Sequence, residues 1–278
     1  MILGKNKRKN IMGNKQFKNH TFVICAYKES PYLEECIQSL MNQRMKSNVI
    51  ITTSTPNIYI EQLAKKYQIP VKINNGEKGI VQDWNFAYEQ VNTDFLTIAH
   101  QDDIYLPNYL EDFWQMIKNV QKPLIYFCNY GEIRNSVEVD ENKLLRVKRI
   151  MLKPLEWKKL WNNIWIRRRI LSFGCAICCP SVTFNKKSIK HSPFEVKYRS
   201  DEDWQAWEKI SKRKGAFVYN RKIGMRHRVH EESETSIILN DGARKKEDYE
   251  MFCKFWPSFI AKLLAKFYSN SEKSNQME

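Results

Sequence analysis

Between Thr21 and Ala99 the chain alternates short apolar runs with stripes of helical period, and this alternation restricts the fold more than any other feature. Thr21–Ala26, Val49–Thr52, Val71–Ile73 and Phe95–Ala99 read as buried strands. Leu33, Cys36, Ile37, Leu40 and Met41 fall at i, i+3, i+4, i+7 and i+8, one helix face opened by Ser30-Pro31. Ile60, Leu63, Ala64 and Tyr67 mark a second helix, and Trp84, Ala87, Tyr88 and Val91 a third. Strands joined by helices of this length take right-handed crossovers, which predicts an α/β fold with a mainly parallel central sheet flanked by helices. The spacing fits no helical solenoid or propeller. Neither G-x-G-x-x-G nor a P-loop occurs, so a bound nucleotide is not held by a glycine-rich turn.

The fourth run ends in His100-Gln101-Asp102-Asp103, and a helix start is expected near Pro107. Open α/β sheets bind ligands at the carboxyl ends of their strands. Two adjacent carboxylates repel each other and resist burial unless a cation or hydrogen-bond donors balance them. Mg²⁺ or Mn²⁺ supplies that balance, because hard ions prefer oxygen ligands. An exposed Asp-Asp turn is the plain alternative.

Further along, Asp112–Val120 reads as a helix and Leu124–Phe127 as a strand. Residues 143–169 hold ten Lys and Arg, with Trp157, Leu160, Trp161, Ile164 and Trp165 at helical spacing. This basic aromatic helical insertion suits an anionic membrane surface; a core-facing helix with solvated lysines is the alternative. Ala176–Phe184 reads as a strand bent at Pro180. Cys175-Ala-Ile-Cys178-Cys179 contains half of a zinc pattern, without the second Cys pair that would complete it.

Ser200 is the expected N-cap of a helix carrying Glu202 and Asp203, striped by Trp204, Trp207 and Ile210. Simple complementarity to the helix dipole also accounts for those acids. Phe217–Tyr219 reads as a strand, and Gly224–Ser236 is a polar stretch. From about Asp241 the tail is helical and amphipathic, broken at Pro257, with docking on the domain and lying on a membrane both open.

The chain has 278 residues, 42% of them hydrophobic, enough to bury a sizeable core. Lys plus Arg outnumber Asp plus Glu by 46 to 31, a net charge of +15 that favours an anionic partner. Seven cysteines lack disulfide-framework spacing, and no signal peptide or bilayer-spanning run is visible. A reducing, cytoplasmic setting is expected, with the protein peripheral on the inner face of the membrane.

Three stretches, in order, carry a resemblance over roughly residues 20–235. They are Phe22–Ser30 with Leu33–Leu40; Gly79–Asn85 with His100–Asp103; and Glu202-Asp203-Trp204 with His227-Arg228-Val229-His230-Glu231-Glu232-Ser233. In these the sequence resembles inverting glycosyltransferases of family two, which have the A-type, Rossmann-like nucleotide-sugar-binding fold. The resemblance implies a nucleoside-diphosphate sugar donor, a UDP-sugar favoured, and a glycan or lipid-linked acceptor. It gives Asp102, Asp103 and His230 to the metal, Mg²⁺ or Mn²⁺. It makes Asp203 the catalytic base of a Glu202-Asp203 pair. Ala26, Tyr27 and Glu29 fall where the nucleoside is gripped, and Thr53, Asn85, His100 and Gln101 complete the donor-contacting set.

His100 stands where the first acid of the family's D-x-D motif is usual, Trp84 where Arg is common, and Ile51–Thr55 in place of an acidic turn. The implied organisation is a disordered basic lead-in (1–19), a transferase domain (20–236) and an amphipathic helical tail (237–278). Within the domain, 20–130 is the nucleotide-binding half and 131–236 the acceptor-side half. Single displacement of the diphosphate by an acceptor hydroxyl inverts the anomeric centre. It needs leaving-group stabilisation and a base. The implied role is surface polysaccharide or glycolipid assembly. A catalytically inactive scaffold of the same fold, a nucleotidyltransferase and a nucleic-acid-binding protein are the alternatives. The last is disfavoured because the positive charge clusters in one insertion and the two ends, so no nucleic-acid partner is expected.

Overall fold

The structure, a computed structural model, describes residues 19–230 and 243–276. The basic lead-in up to residue 18 and the acidic part of the polar stretch after His230 lie outside the described residues.

The predicted alternation forms as β1 (His20–Ala26), α1 (Leu33–Met41), β2 (Asn48–Thr53), α2 (Ile58–Tyr67), β3 (Val71–Ile73), α3 (Ile80–Glu89) and β4 (Phe95–His100). β3, β2, β1 and β4 lie side by side and are all parallel. Phe22, Val23 and Ile24 are all fully buried, the continuous burial of a strand covered on both faces. Asn57 caps α2, its side chain accepting from the Ile60 amide at 2.9 Å.

Then follow β5 (Ile104–Tyr105), α4 (Tyr109–Ile117), β6 (Pro123–Arg134), β7 (Val137–Val139), α5 (Lys143–Leu152), α6 (Ile164–Leu171), β8 (Val182–Asn185), α7 (Glu202–Ser211) and β9 (Ala216–Val229). The sheet order is β3-β2-β1-β4-β8-β6-β9-β5, with β7 paired to β6. The fold is α/β as the sequence implies, but beyond β4 the sheet is mixed. β8 runs antiparallel to β4 and β6, and β5 antiparallel to β9. The chain enters β8 from the carboxyl edge of the sheet, without the helical crossover that a parallel neighbour requires.

Four local expectations are corrected. The strand expected over Ala176–Phe184 starts only at Val182, because Pro180 sits in a 3₁₀ turn, Cys179–Ser181, and has no N–H for a ladder. β9 continues through the polar residues after Gly224 to Val229. An irregularity opposite Cys128–Tyr130 absorbs the extra residues, and Arg226 and His227 find carboxylate partners.

The basic aromatic insertion is not one helix. Pro154 ends α5 in a 3₁₀ turn, Asn163 caps a new helix, α6, and the tryptophan stripe is split. Trp161 is buried, its Nε1 donating to the Leu155 carbonyl at 2.7 Å, whereas Trp157 and Trp165 are exposed. Arg167, counted among the surface cations, is buried; it donates to the carbonyls of Ser211, Arg213 and Gly215 and closes the end of α7.

Ser200 does not cap α7. Asp201 holds the N-cap position without a side-chain bond. The amides of Arg199, Ser200 and Asp201 donate instead to the Glu247 carboxylate, at 2.8–3.2 Å. Glu247 belongs to the tail, which forms α8 (Ala243–Cys253) and α9 (Ser258–Gln276) on either side of Pro257, as expected. The tail docks on the domain: Met251, Phe252 and Ala261 are buried, and Phe252 and Tyr268 pack against Trp204. Gly174 admits this contact. Its φ is +139°, and a Cβ there would lie 2.6 Å from the Tyr268 ring.

Under the sheet, fully buried His20 contacts Ser47 Oγ at 2.7 Å and Thr97 Oγ1 at 3.0 Å. Thr97 continues to Thr183 and Tyr109, joining β1, β4, β8 and α4 through hydroxyls. Burial lowers the His20 pKa from 6.5 to about 3. In that window the unfolded chain binds a proton that the folded chain refuses, so stability falls as pH drops. Urea unfolding at a series of pH values is expected to show this loss, several kcal/mol in order of magnitude. The slope is expected to be shallower in His20→Gln; an unchanged slope would assign acid lability to other groups.

Candidate active site

The turn after β4 places its two carboxylates differently. Asp103 is fully buried: its Oδ1 accepts from His227 Nδ1 at 2.9 Å and from the Arg228 amide at 3.0 Å. Burial alone would raise Asp103 and lower His227. Their mutual attraction outweighs it, so Asp103 sits below the usual carboxylate range and His227 above the usual imidazole one. Asp102 faces outward, its side chain about a quarter exposed. Its Oδ1 accepts from Ser30 Oγ at 3.2 Å, and its Oδ2 lies 3.1 Å from His230 Nε2.

Arg228 fixes this arrangement. Its Nε donates to the Asp102 carbonyl at 2.9 Å, its Nη2 pairs with Glu35 on α1, and the guanidinium lies 4.3 Å from the Tyr32 ring centroid. Tyr32 in turn touches the His230 ring, centroids 5.3 Å apart. Sequence reading treats Arg228 only as part of a polar stretch. Its alternation with His227 and His230 is the usable signal, once that stretch is seen to be a strand.

The expected donor-contacting residues cluster at the carboxyl ends of β1, β2 and β4. Ala26 is buried at the end of β1, and Tyr27 and Glu29 are exposed beyond it. The Gln101 amide pairs with the Tyr27 backbone in both directions, at 2.9 and 3.1 Å, extending the β1–β4 contact by one residue. Thr53 is buried and accepts from the Thr55 amide, while Thr55 Oγ1 accepts from the Lys28 amide. Asp83 gathers Ser54 Oγ and Asn74 Nδ2 at 2.7 and 2.8 Å, tying the ends of β2 and β3 to α3. His100 stacks on Trp84, centroids 5.1 Å apart and planes 20° apart, with Nδ1 3.9 Å from Asp103 Oδ2. Burial lowers its pKa, so it is a neutral ring. Asn85 stands apart from the cluster, its Nδ2 donating to the Phe194 carbonyl at 3.4 Å.

Asp203 and Glu202 open α7. Asp203 Oδ1 accepts from the Trp204 amide at 2.5 Å and Oδ2 from Cys175 Sγ at 3.4 Å. Burial pushes Asp203 above the usual carboxylate range. Glu202 is buried. The segment Cys175–Ser181 is a strut between the acid-pair turn and α7. Tyr105 Oη donates to the Pro180 carbonyl at 2.6 Å, and Trp207 Nε1 donates to the Ile177 carbonyl at 3.2 Å. The Cys175-x-x-Cys178 pattern therefore serves packing and the positioning of Asp203; burial pushes the thiols of Cys175, Cys178 and Cys179 upward.

A hard divalent ion fits the Asp102–His230 pair as a partial donor set. Mg²⁺ and Mn²⁺ sites in phosphate chemistry commonly use one or two protein groups, with phosphate oxygens and water filling the rest. Among the described residues no three His, Cys, Asp or Glu side chains converge into a complete site.

A parallel half of four strands continued by a mixed half is the A-type fold of glycosyltransferases. The chain belongs to glycosyl transferase family 2, whose family model matches residues 21–184, more than half of the 278 residues. No curated protein matches it in sequence.

Solved structures share the fold. S. aureus TarS 1-349 in complex with UDP-GlcNAc is 15% identical, with a TM-score of 0.60 over 89% of this chain and 70% of that one. The mannosyltransferase PcManGT from Pyrobaculum calidifontis, in complex with GDP-Man and Mn²⁺, is 12% identical, with a TM-score of 0.62 over 96% and 78%. Glucosyl-3-phosphoglycerate synthase from Mycobacterium tuberculosis, in complex with phosphoglyceric acid, is 12% identical, with a TM-score of 0.60 over 86% and 81%.

The two histidines are expected to behave differently. His227→Ala leaves a buried carboxylate with one partner fewer and is expected to cost about 3 kcal/mol in urea unfolding. His230→Ala breaks a part-exposed pair and is expected to cost no more than about 1 kcal/mol. Equal costs would show that Asp103 does not depend on His227.

Proposed function

We propose that the protein is an inverting glycosyltransferase that moves a sugar from a nucleoside-diphosphate donor, a UDP-sugar favoured, to a hydroxyl of a glycan or lipid-linked acceptor, in surface polysaccharide or glycolipid assembly. The observation that carries this reading is the division of labour between the outward Asp102–His230 pair and the part-buried Asp203 on the far side of the Cys175–Ser181 strut. Asp102 and His230 would hold Mg²⁺ or Mn²⁺ on the donor diphosphate. The ion, when bound, supplies Lewis-acid stabilisation of charge on the leaving diphosphate.

The chain's own residues do the rest. Ala26, Tyr27 and Thr53 line the end of the parallel half where the nucleoside sits, and Gln101 locks that edge to the acid-pair turn. His100, neutral and stacked on Trp84, offers a ring edge to the donor rather than a charge. Asp103, held by His227 and Arg228, positions Asp102 instead of serving as an outward ligand. Asp203 Oδ2 takes the proton of the acceptor hydroxyl as that oxygen attacks the anomeric carbon. The bond to the diphosphate oxygen breaks in the same displacement, so configuration inverts and no enzyme-bound sugar forms. Holding both substrates in line supplies much of the remaining acceleration. Glu202 supports the base from behind.

Asp203 must be ionised to act, and its raised pKa puts the acid limb of kcat/KM above the ordinary aspartate value of about 3.9, with rate falling as pH drops through it. A folded pKa above the unfolded one also means that the ionised carboxylate costs stability at neutral pH. Asp203→Asn is therefore expected to lower turnover by about 10²–10⁴-fold, raise the thermal midpoint and leave donor uptake with Mn²⁺ intact in calorimetry. Loss of donor uptake in that variant would make Asp203 structural. Absence of uptake of any nucleotide sugar by the unaltered protein would overturn the transferase reading.

A further inference from the structure

The tail covers the domain with one face and leaves a second apolar face bare. α9 packs inward through Ala261, Leu264, Ala265 and Tyr268. Phe259, Leu263 and Phe267, at i, i+4 and i+8, are 74%, 55% and 64% exposed, and Lys262 and Lys266 flank them, also exposed. Beside the start of α9, α6 contributes Trp165 and the turn after it Phe173, 63% and 50% exposed.

The two groups meet at Arg169. Its guanidinium lies 5.5 Å from the Trp165 ring centroid and 4.6 Å from that of Trp256. Trp256 is fixed by Nε1 donating to the Ser172 carbonyl at 2.8 Å, and it touches Phe173, centroids 5.8 Å apart. Among the described residues Arg169 has no carboxylate within ion-pair distance, unlike Arg168, which pairs with Glu208 at 2.8 Å. A cavity of about 350 Å³ opens here, lined by Ile164, Trp165, Arg168, Arg169, Ser172 and Phe255.

We propose that this face rests on an anionic phospholipid surface, with Phe259, Leu263, Phe267, Trp165 and Phe173 in the interface and a lipid phosphate on Arg169. Aromatic and aliphatic side chains flanked by lysines on the outer face of a helix are the composition of an interfacial segment. A guanidinium within cation–π distance of two indoles, with no carboxylate partner among the described residues, is suited to a phosphate. No described helix is long and apolar enough to cross a membrane. The chain's charge of +15 selects the occupant: a second copy would bring +15 against +15, whereas an anionic bilayer attracts each exposed cation.

The face also adjoins the proposed base. Phe173 is followed by Gly174, against which Tyr268 packs, and then by Cys175, which donates to Asp203. An acceptor carried on a lipid would reach Asp203 from this side; that step, and only that step, rests on the transferase reading.

The test is co-flotation of the full chain with phosphatidylcholine vesicles and with vesicles containing phosphatidylglycerol, at low and high salt. The protein is expected to float with the anionic vesicles alone, and less at high salt. Phe259→Ser/Leu263→Ser/Phe267→Ser is expected to cut binding at least tenfold, and Arg169→Ala about fivefold. An unchanged thermal midpoint and donor uptake in the triple variant would show that fold and site are intact. If the unaltered protein stays unbound, or the triple variant floats as well as it does, the proposal is overturned. Light scattering showing a dimer that the triple variant abolishes would also overturn it, assigning the face to a second copy. Flotation without donor uptake in the unaltered protein would leave this surface standing and remove only the transferase reading.

Discussion

A fully buried carboxylate is tolerated only where donors or positive charge offset its burial, and Asp103, through the two donors on its Oδ1, imposes that condition on both halves of the protein. The donors come from the far end of β9, more than a hundred residues away, and they fasten the mixed half of the sheet to the turn leaving the parallel half. Arg228 adds α1 to the same knot through Glu35. Asp102 can therefore face solvent in a fixed direction, although it sits on a turn, because its neighbour is anchored and its own carbonyl is held. A charge inside the protein sets the aim of a charge outside it.

A second long-range tie does the same for α7. The amides of Ser200 and Asp201, which lead into the helix just before Asp203, donate to Glu247 of the tail. Trp204 packs on Phe252 and Tyr268, and its Nε1 reaches the Leu171 carbonyl at 2.9 Å, so the helix start is held from two sides. The tail is thus part of what positions the carboxylate. At Gly174, no side chain fits beside Tyr268.

The parallel half was legible because β1, β2 and β4 are short, buried runs and the helices between the strands are amphipathic, a pattern carried by local spacing. The acid pair was legible too, as was the break of the tail at Pro257. Three features were hidden. The run from Arg226 to Val229 reads as loop because its polar side chains find partners only in the assembled sheet. Ser200 looks like a cap, but the N-cap position falls one residue later, at Asp201, and the Ser200 amide itself donates to a carboxylate arriving from the tail. Trp157, Trp161 and Trp165 share a helical period that two turns interrupt, so one is buried and two are not. The unlike surroundings of Asp102 and Asp103 could not be read from adjacency, since a turn reverses the direction of successive side chains.

Two of the site's carboxylates, Asp103 and Asp203, are displaced in opposite directions, and the displacement separates their tasks. Around Asp103, His227 and a backbone amide outweigh burial, so the charge is permanent and suited to holding geometry. Around Asp203 burial prevails, and the thiol of Cys175 that donates to it is a weak donor. Such a carboxylate gains by accepting a proton, which is what a base near an attacking hydroxyl must do. In the proposed displacement, a stabilised charge under the acid-pair turn and a destabilised one across the strut would give each end of the reaction its own electrostatics. Exchange of the two environments would leave the proposed base too stable to take a proton and the anchor too unstable to hold its turn.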